Sequence, residues 1–310
     1  MKNFINIFAL LFVLTGCVSA EKQSQNCADE SLVICQFNMR YDQPNDGHFK
    51  IVKDANGNEK RVFDGTNVWS KRMPLIANFF FYHDVDICGS QELYKNQIAD
   101  ITEAVKEKYE IFGTTTSPSA DLIKKRNHNN VIFYKRERFE LLDSGVFWLS
   151  ETPEKESKGW TARYPRNCNW GKFKDKKTGK EFFIFNTHFH HIGENVQIES
   201  AKLLSKKIKE IAGNNTFYAM GDLNSTPESK AIKTIKESGF IVDAKDVCKT
   251  ALYGPDYTDN YGYTGKKSVW IDWVFVSKDI EVEKFAVFSE CFDGVWLSDH
   301  FPLLLKTKIK

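Results

Sequence analysis

Residues 298–301, Ser298-Asp299-His300-Phe301, join a carboxylate and an imidazole on one loop that follows strand-like sequence. Three more polar segments each follow a similar apolar run, and these are Gly221-Asp222-Leu223-Asn224, Asn186-Thr187-His188 and Ser90-Gln91-Glu92. Short apolar runs bounded by polar residues are typical of buried strands. Metal-assisted attack on phosphorus needs a carboxylate, a base for water, and cations or imidazoles for the developing charge. We therefore expect the four segments to converge in one pocket around a divalent ion.

Strand-like and helical segments alternate along the chain, and strands outnumber helices. The predicted strands cover residues 31–39, 85–89, 109–114, 130–135, 139–149, 169–174, 181–188, 217–220, 271–277, 282–288 and 303–308. The predicted helices cover residues 69–82, 96–108, 196–211 and 228–237, and Pro74 suggests that the first of them begins near Met73. Residues 40–65 are rich in Asn, Asp and Gly and are predicted to form an extended binding loop. The pattern predicts one mixed α/β domain over residues 31–310, with sheets at the centre and helices outside.

The first residues resemble an export signal. Lys2 precedes an apolar run over residues 4–14, which is too short to span a bilayer. The run ends in Leu14-Thr15-Gly16-Cys17, which resembles a bacterial lipobox whose cysteine is lipidated. We interpret residues 1–17 as a signal peptide with a lipobox and residues 18–30 as a tether, with a plain signal peptide as the alternative. The protein is expected to be exported, either lipid-anchored in the bacterial cell envelope or secreted, and to contact the membrane only through that anchor.

Composition limits the possible partners. The formal net charge is +2 and 42% of the residues are hydrophobic, so the chain can bury a sizeable core but lacks the basic footprint of duplex-binding domains. A nucleic-acid partner therefore depends on local patches; the basic cluster Lys124-Lys125-Arg126 is interpreted as a solvated loop, with a phosphate-contacting loop as the alternative. Cys35 and Cys88 lie in apolar runs and are expected to be buried thiols, while disulfides elsewhere stay open. We expect a monomer.

Four side chains at strand ends are candidates for metal and water chemistry. Glu92 suits an Mg²⁺ ligand, although a helix-capping acid has the same sequence pattern. Asn38 ends the first predicted strand and could instead cap a turn. Asp222 and Asn224 alternate around Leu223, so both can address one water or oxyanion, although an Asx turn is the alternative.

Histidines and arginines supply candidates for charge stabilisation. His188 ends an apolar strand and is expected to donate to a phosphoryl oxygen; zinc binding with the neighbouring histidines lacks matching ligand spacing. Asp272 interrupts an apolar strand, and a buried charge requires a partner, for which His300 is the natural choice. His300 would then be the base or a phosphate contact. Arg163 and Arg166 are candidate phosphate ligands.

The complete set of motifs, in this order, resembles the endonuclease/exonuclease/phosphatase superfamily. The motifs are Asn38, Gln91-Glu92, Asn186-Thr187-His188, Gly221-Asp222-Leu223-Asn224, Ile271-Asp272-Trp273 and Ser298-Asp299-His300-Phe301-Pro302, with Phe37-Asn38-Met39-Arg40-Tyr41-Asp42 and Asn67-Val68-Trp69-Ser70-Lys71-Arg72 resembling an exported bacterial branch. The resemblance implies a four-layer α/β sandwich of the DNase I type, with two packed mixed sheets flanked by helices, and a catalytic Mg²⁺ or Mn²⁺ ion.

The resemblance also implies roles for particular residues. The expected metal ligands are Asn38, Glu92 and Asp299. The expected catalytic residues are His188, Asp222, Asn224, Asp272 and His300. The expected substrate-binding residues are Arg163, Arg166 and Asn186. Two positions depart from the usual pattern, since many relatives carry Asp where this chain has His190 and Arg where it has Gln197. If those positions support the metal or the phosphate, the substrate preference differs here.

The expected function is an Mg²⁺-dependent hydrolase of phosphoric esters, a phosphodiesterase or phosphatase, on the cell envelope. A nuclease acting on DNA or RNA is the first alternative. A surface binding module that has lost turnover is the second. The sequence leaves the identity of the phosphate-ester substrate open.

Overall fold

The computed structural model describes residues 30–115 and 128–310. The expected signal peptide, nearly all of the tether, and the basic cluster at residues 124–126 lie outside the described residues. The helices are α1 (Trp69–Tyr82), α2 (Lys95–Val105), α3 (Glu194–Ala212) and α4 (Lys230–Lys236). The strands are β1 (Leu32–Asn38), β2 (Phe49–Lys53), β3 (Glu59–Phe63), β4 (Ile87–Leu93), β5 (Tyr109–Thr115), β6 (Asn129–Lys135), β7 (Phe139–Trp148), β8 (Asn167–Asp175), β9 (Glu181–His188), β10 (Phe217–Asp222), β11 (Val242–Asp243), β12 (Asp272–Val276), β13 (Ile280–Val287), β14 (Cys291–Phe292), β15 (Val295–Trp296) and β16 (Leu303–Ile309).

Two mixed sheets form the centre of the molecule. The first has the strand order β13-β16-β1-β4-β6-β5 and the second the order β11-β12-β10-β9-β8-β7. In the first sheet β1 is parallel to β4 and antiparallel to β16; in the second, β10 is parallel to β9 and antiparallel to β12. The carboxyl ends of parallel neighbours lie at one edge of a sheet, and the predicted polar segments follow these strands.

Side-chain alternation in the strands builds four layers. In β1, Leu32 and Ile34 belong to the core shared with the second sheet, whereas Cys35 and Phe37 belong to a separate core with α1 and α2. This two-residue period is the expected consequence of a strand that is covered on both faces. Apolar residues of α3 and α4 join the larger core from the outer side of the second sheet. The predicted four-layer α/β sandwich is confirmed.

A chain of buried side-chain hydrogen bonds connects the two sheets, near the edge at which the polar segments lie. Gln36 donates through Nε2 to Gln91 Oε1 at 2.7 Å and to Asp272 Oδ1 at 3.1 Å. Gln91 in turn donates to Asn186 Oδ1 at 2.7 Å. Since these four residues come from β1, β4, β9 and β12, the network fixes both sheets relative to one another.

Two predictions about local structure are wrong. The segment predicted as an extended loop contains the hairpin β2–β3, whose strands are mostly exposed and pair only with each other, so their sequence carries little apolar alternation. Helix α1 begins at Trp69, one turn before the predicted start, and Pro74 lies inside it. The early start is held by Arg72, whose guanidinium donates to the carbonyl oxygens of Asn67, Met39, Leu297 and Arg40.

Two further features bear on the sequence predictions. Cys35 and Cys88 are buried free thiols, as predicted, and Cys168, Cys248 and Cys291 are also unpaired. Within residues 30–115 and 128–310, no helix combines the length and apolarity needed to cross a bilayer.

Candidate active site

The polar strand ends meet in one cleft of about 720 Å³. The parallel registers place Asn38 beside Gln91 and His188 beside Asp222, which aligns the ends of β1, β4, β9 and β10. Its lining includes Arg40, Tyr41, Glu92, Tyr94, His128, Tyr164, Arg166, His188, His191, Asp222, Asn224 and His300. The expected convergence of residues 92, 222 and 300 in one pocket is therefore present.

His300 is held by the carboxylate predicted to be its partner. Its Nδ1 lies 2.8 Å from Asp272 Oδ2, and its backbone N–H donates to Ser298 Oγ. Burial alone would lower the pKa of His300, but Asp272 and Asp222 outweigh burial and raise that pKa well above its ordinary value. The ring is therefore an imidazolium at neutral pH. Of the two predicted roles, this charge state favours donation to a phosphate over action as a base.

Asp222 lies at the centre of the cleft wall. Its Oδ1 accepts a hydrogen bond from the Asn224 N–H at 2.9 Å, and its Oδ2 accepts one from Asn38 Nδ2 at 3.0 Å. Burial raises the pKa of Asp222 to about 7, against the opposing charge of His300. A carboxylate that titrates near neutrality is suited to accept a proton from water.

His188 and Arg166 form a second pair on this wall. The Arg166 Nη1 atom lies 2.9 Å from His188 Nδ1, and a guanidinium can only donate, so Nδ1 is the acceptor. The proton of the neutral ring is then on Nε2, which lies 3.3 Å from Asp222 Oδ2. Burial, followed by the charge of Arg166, lowers the pKa of His188 well below its ordinary value. Arg166 Nε is buried without a hydrogen-bond partner in the described part of the chain, which leaves it available to an anion.

Glu92 is the carboxylate best placed for a divalent ion. It lies in a bulge of β4 with φ 69°, and its Oε2 accepts a long hydrogen bond of 3.4 Å from the Tyr41 N–H. Burial would raise the pKa of Glu92, but electrostatic interactions with His128, Arg40 and His300 lower it to about 2. An ionised carboxylate facing a cleft, with the Asn38 amide nearby on β1, fits the oxygen ligands that Mg²⁺ and Mn²⁺ accept.

Five predicted site residues are not part of the cleft lining, and these are Asn38, Arg163, Asn186, Asp272 and Asp299. Asp299 forms an ion pair at 3.1 Å with Arg40, which lines the cleft, and its role as a metal ligand stays a prediction. Asn186 is fully buried, and its Nδ2 donates to the Ser90 and Val131 carbonyls, so it holds the sheets together and does not contact substrate. Arg163 has an exposed side chain and only its backbone N–H is engaged, with His190 Nε2.

The two positions that depart from the family pattern support a loop. Gln197 donates from α3 to the carbonyl oxygens of His190 and Asn224, at 3.1 and 2.7 Å. His190 accepts from the Arg163 N–H and does not line the cleft. The Gln197 side chain therefore fixes the backbone at Asn224, which has φ 46°, and the His190 side chain fixes the backbone at Arg163.

Several cleft residues were not assigned a role from the sequence. Arg40 and Tyr41 lie two and three residues after Asn38, which ends β1, and this closeness in sequence could have indicated that they belong to the site. His128 stacks on Tyr41 with ring centroids 4.9 Å apart, but it precedes β6 and no sequence pattern marks it. On the opposite side, the hydroxyl of Tyr164 lies 2.6 Å from His191 Nδ1.

The fold and this cluster define a class of phosphoester hydrolases built on two packed sheets. A sequence profile described as the Endonuclease/Exonuclease/phosphatase family matches residues 65–300, and the chain belongs to this family. Members of the family are usually metal-dependent hydrolases of phosphoester bonds.

Solved bacterial structures and a viral protein resemble the chain. A family member from Bacteroides thetaiotaomicron is 32% identical with a TM-score of 0.76, over 89% of this chain and 97% of that one. A mannosyl-6-phosphatase from Bacteroides thetaiotaomicron VPI-5482 is 31% identical with a TM-score of 0.76, over 89% of this chain and 99% of that one. An uncharacterized protein of Acanthamoeba polyphaga mimivirus is 25% identical over an alignment of 264 residues that covers 78% of this chain and 93% of the viral protein.

Proposed function

We propose that the protein is an Mg²⁺- or Mn²⁺-dependent hydrolase of phosphoric esters that acts on the cell envelope. The observation that carries this proposal is the convergence of Glu92, Asp222 and His300 on one cleft beside a guanidinium. The envelope location rests on the N-terminal signal and lipobox pattern alone. The divalent ion, held at Glu92 with Asn38 nearby, would offset negative charge on the phosphoryl group.

The side chains divide the reaction between them. Asp222, whose pKa lies near neutrality, accepts the proton of the attacking water. Arg166 and the imidazolium of His300 donate to phosphoryl oxygens as charge develops there. Asp272 keeps His300 oriented, and His188 directs its Nε2 proton at Asp222 Oδ2.

A phosphorylated sugar is the substrate class that we propose first. The cleft volume of about 720 Å³ lies within the range of small-molecule sites. The similar Bacteroides protein named as a mannosyl-6-phosphatase supports a sugar phosphomonoester.

A nuclease is the second candidate. Tyr41, Tyr94 and Tyr164 line the cleft together with arginines, and such rings can stack nucleobases. Binding of a nucleic acid would weaken steeply with added salt, whereas hydrolysis of a small sugar phosphate would depend on salt much less.

The test is a panel of phosphate mono- and diesters assayed with Mg²⁺, with Mn²⁺ and with chelator. We expect metal-dependent hydrolysis that falls at least about 100-fold in Glu92→Gln and His300→Ala. Glu281→Gln removes a half-buried acid on the distant β13 and is the matched control, expected to keep full activity. Equal rates in the wild type and both cleft variants, or no hydrolysis of any ester, would support the inactive binding module instead.

A further inference from the structure

A bulge in β4 brings Glu92 next to the start of β6. Ser90 pairs with Val131 and Leu93 with Asn129, so three steps along β4 oppose two along β6. The extra residue re-aims the local side chains, as bulges beside active sites do. Asn129 fastens this arrangement by donating through Nδ2 to the Leu93 carbonyl at 2.7 Å. The residue that precedes β6 is His128.

Glu92, His128 and His188 form a compact group of potential ligands. One ligand atom from each lies within 4.8 Å of the others. Both nitrogens of His188 already have neighbours, because Nδ1 accepts from Arg166 and Nε2 faces Asp222. An ion bound to His188 would displace one of these contacts, whereas His128 interacts with Glu92 itself, the carboxylate that would hold the ion.

The His128 ring is held in a fixed orientation. It stacks on Tyr41 at an interplanar angle of 28°, and its centroid lies 5.5 Å from that of Tyr94. An imidazole that is oriented by packing before an ion arrives loses little entropy on binding it.

We propose that His128 is a nitrogen ligand of the divalent ion bound at Glu92, and that the site therefore prefers Mn²⁺ to Mg²⁺. This inference rests on the proposed metal site of the hydrolase. Mg²⁺ is held by oxygen ligands and water, whereas imidazole suits first-row transition ions. A mixed nitrogen and oxygen site thus discriminates between two ions that an all-oxygen site binds alike.

Electron paramagnetic resonance tests the inference without any substrate. Free Mn²⁺ gives a strong signal that diminishes on binding, so titration of the full-length chain gives the Mn²⁺ affinity, and competition gives that of Mg²⁺. We expect Mn²⁺ to bind at least about tenfold more tightly than Mg²⁺. His128→Gln is expected to weaken Mn²⁺ binding by about tenfold or more and to change Mg²⁺ binding about twofold at most.

Two further variants sharpen the result. His128→Glu converts the pair to oxygen ligands only and is expected to raise the affinity for Mg²⁺ relative to Mn²⁺. His191→Gln removes another cleft imidazole that lies outside the group of three and is expected to leave Mn²⁺ affinity unchanged.

The outcomes separate this inference from the proposed function. Unchanged Mn²⁺ affinity in His128→Gln, together with weaker binding in Glu92→Gln, overturns the role of His128 and leaves the Glu92 site intact. Unchanged affinity in Glu92→Gln overturns the metal site itself. Loss in both variants, with His191→Gln unaffected, supports the inference.

Discussion

Two carboxylates in the same cleft have pKa values shifted in opposite directions. Burial raises the pKa of Asp222 to about 7, whereas His128, Arg40 and His300 outweigh burial at Glu92 and lower its pKa to about 2. At neutral pH Glu92 is therefore ionised and suited to a cation, while Asp222 can exchange a proton. Environments that separate two pKa values in this way divide the roles of chemically similar groups.

Asp272→Asn tests the coupling between Asp272 and His300. Although burial lowers the pKa of His300, the negative charge of Asp272 raises it, so loss of that charge lowers the pKa. The ring then deprotonates at a lower pH, and the alkaline limb of the pH profile of kcat is expected to move to lower pH. We expect kcat to fall by about 100-fold or more, with KM changed much less.

The control for this variant is Asp175→Asn. Asp175 is also a buried acid with a cationic partner, Arg138, but it lies at the opposite end of β8 from the cleft. Its replacement is expected to lower stability and to leave the pH profile in place. An alkaline limb that stays fixed in Asp272→Asn would contradict the proposed charge state of His300.

Sequence reasoning found the residues whose chemistry demands a partner. A buried acid such as Asp272 is unstable alone, so its pairing with His300 could be inferred. His128 could not be found in this way, because its position depends on the β4 bulge and on tyrosine rings from distant segments. Asn186 was misassigned because a motif position does not reveal which way the side chain points.

At the scale of elements, the site depends on the close pairing of β9 with β10. Gly221 lies opposite Thr187, one position before the pair formed by Asp222 and His188. A Cβ atom at residue 221 would collide with the carbonyl oxygen of Thr187, which is backbone and cannot rotate away. The glycine therefore sets the distance between two catalytic candidates.

Gly221→Ala is expected to separate these two strands. The collision should lower the free energy of unfolding by about 1–3 kcal/mol, as overpacking in a core does. Hydrolysis should fall as well, since Asp222 and His188 move apart. Urea unfolding and a metal-dependent assay would measure both effects.

Gly179→Asn is the matched control for that substitution. Gly179 has φ 76° in the turn between β8 and β9, with open space around it, and asparagine tolerates positive φ. This variant should retain stability and activity. Unchanged stability and hydrolysis rate in Gly221→Ala would contradict this prediction, because β9 and β10 would then accommodate a Cβ atom at residue 221.

Element prediction succeeded where burial imposes a pattern. Central strands such as β1, β6 and β9 have long apolar runs because both of their faces are covered. The β2–β3 hairpin was missed because solvent covers most of it and imposes no such pattern. The start of α1 was missed because contacts of Arg72 with distant carbonyls outweigh the local preference of Pro74.

The whole molecule is organised around the amide network that joins its two sheets. Gln36, Gln91 and Asn186 are fully buried, and each satisfies its amide through a partner on another strand. Such hydrogen bonds form only after the sheets have packed, so they cannot be predicted from the sequence of any single segment. The four-layer architecture was predictable from pattern and motif order, whereas the bonds that fix the layers were not.

The expected lipid anchor at Cys17 has its own test. If Cys17 is lipidated, the protein made in a bacterium should sediment with membranes and require detergent for release, after which it should behave as a monomer. Cys17→Ser should abolish this behaviour, and Cys27→Ser, in the expected tether, should preserve it. Identical fractionation of Cys17→Ser and wild type would contradict a lipid anchor.

The position of β1 has a consequence for synthesis on the ribosome. Among the described residues β1 is the first strand and pairs with β16, the last, and Arg72 donates to the carbonyls of both Met39 and Leu297. A nascent chain that stops short of residue 300 therefore lacks the neighbour of its own first strand as well as the imidazolium of its cleft. If the proposed function holds, a chain that ends before His300 is therefore expected to be inactive.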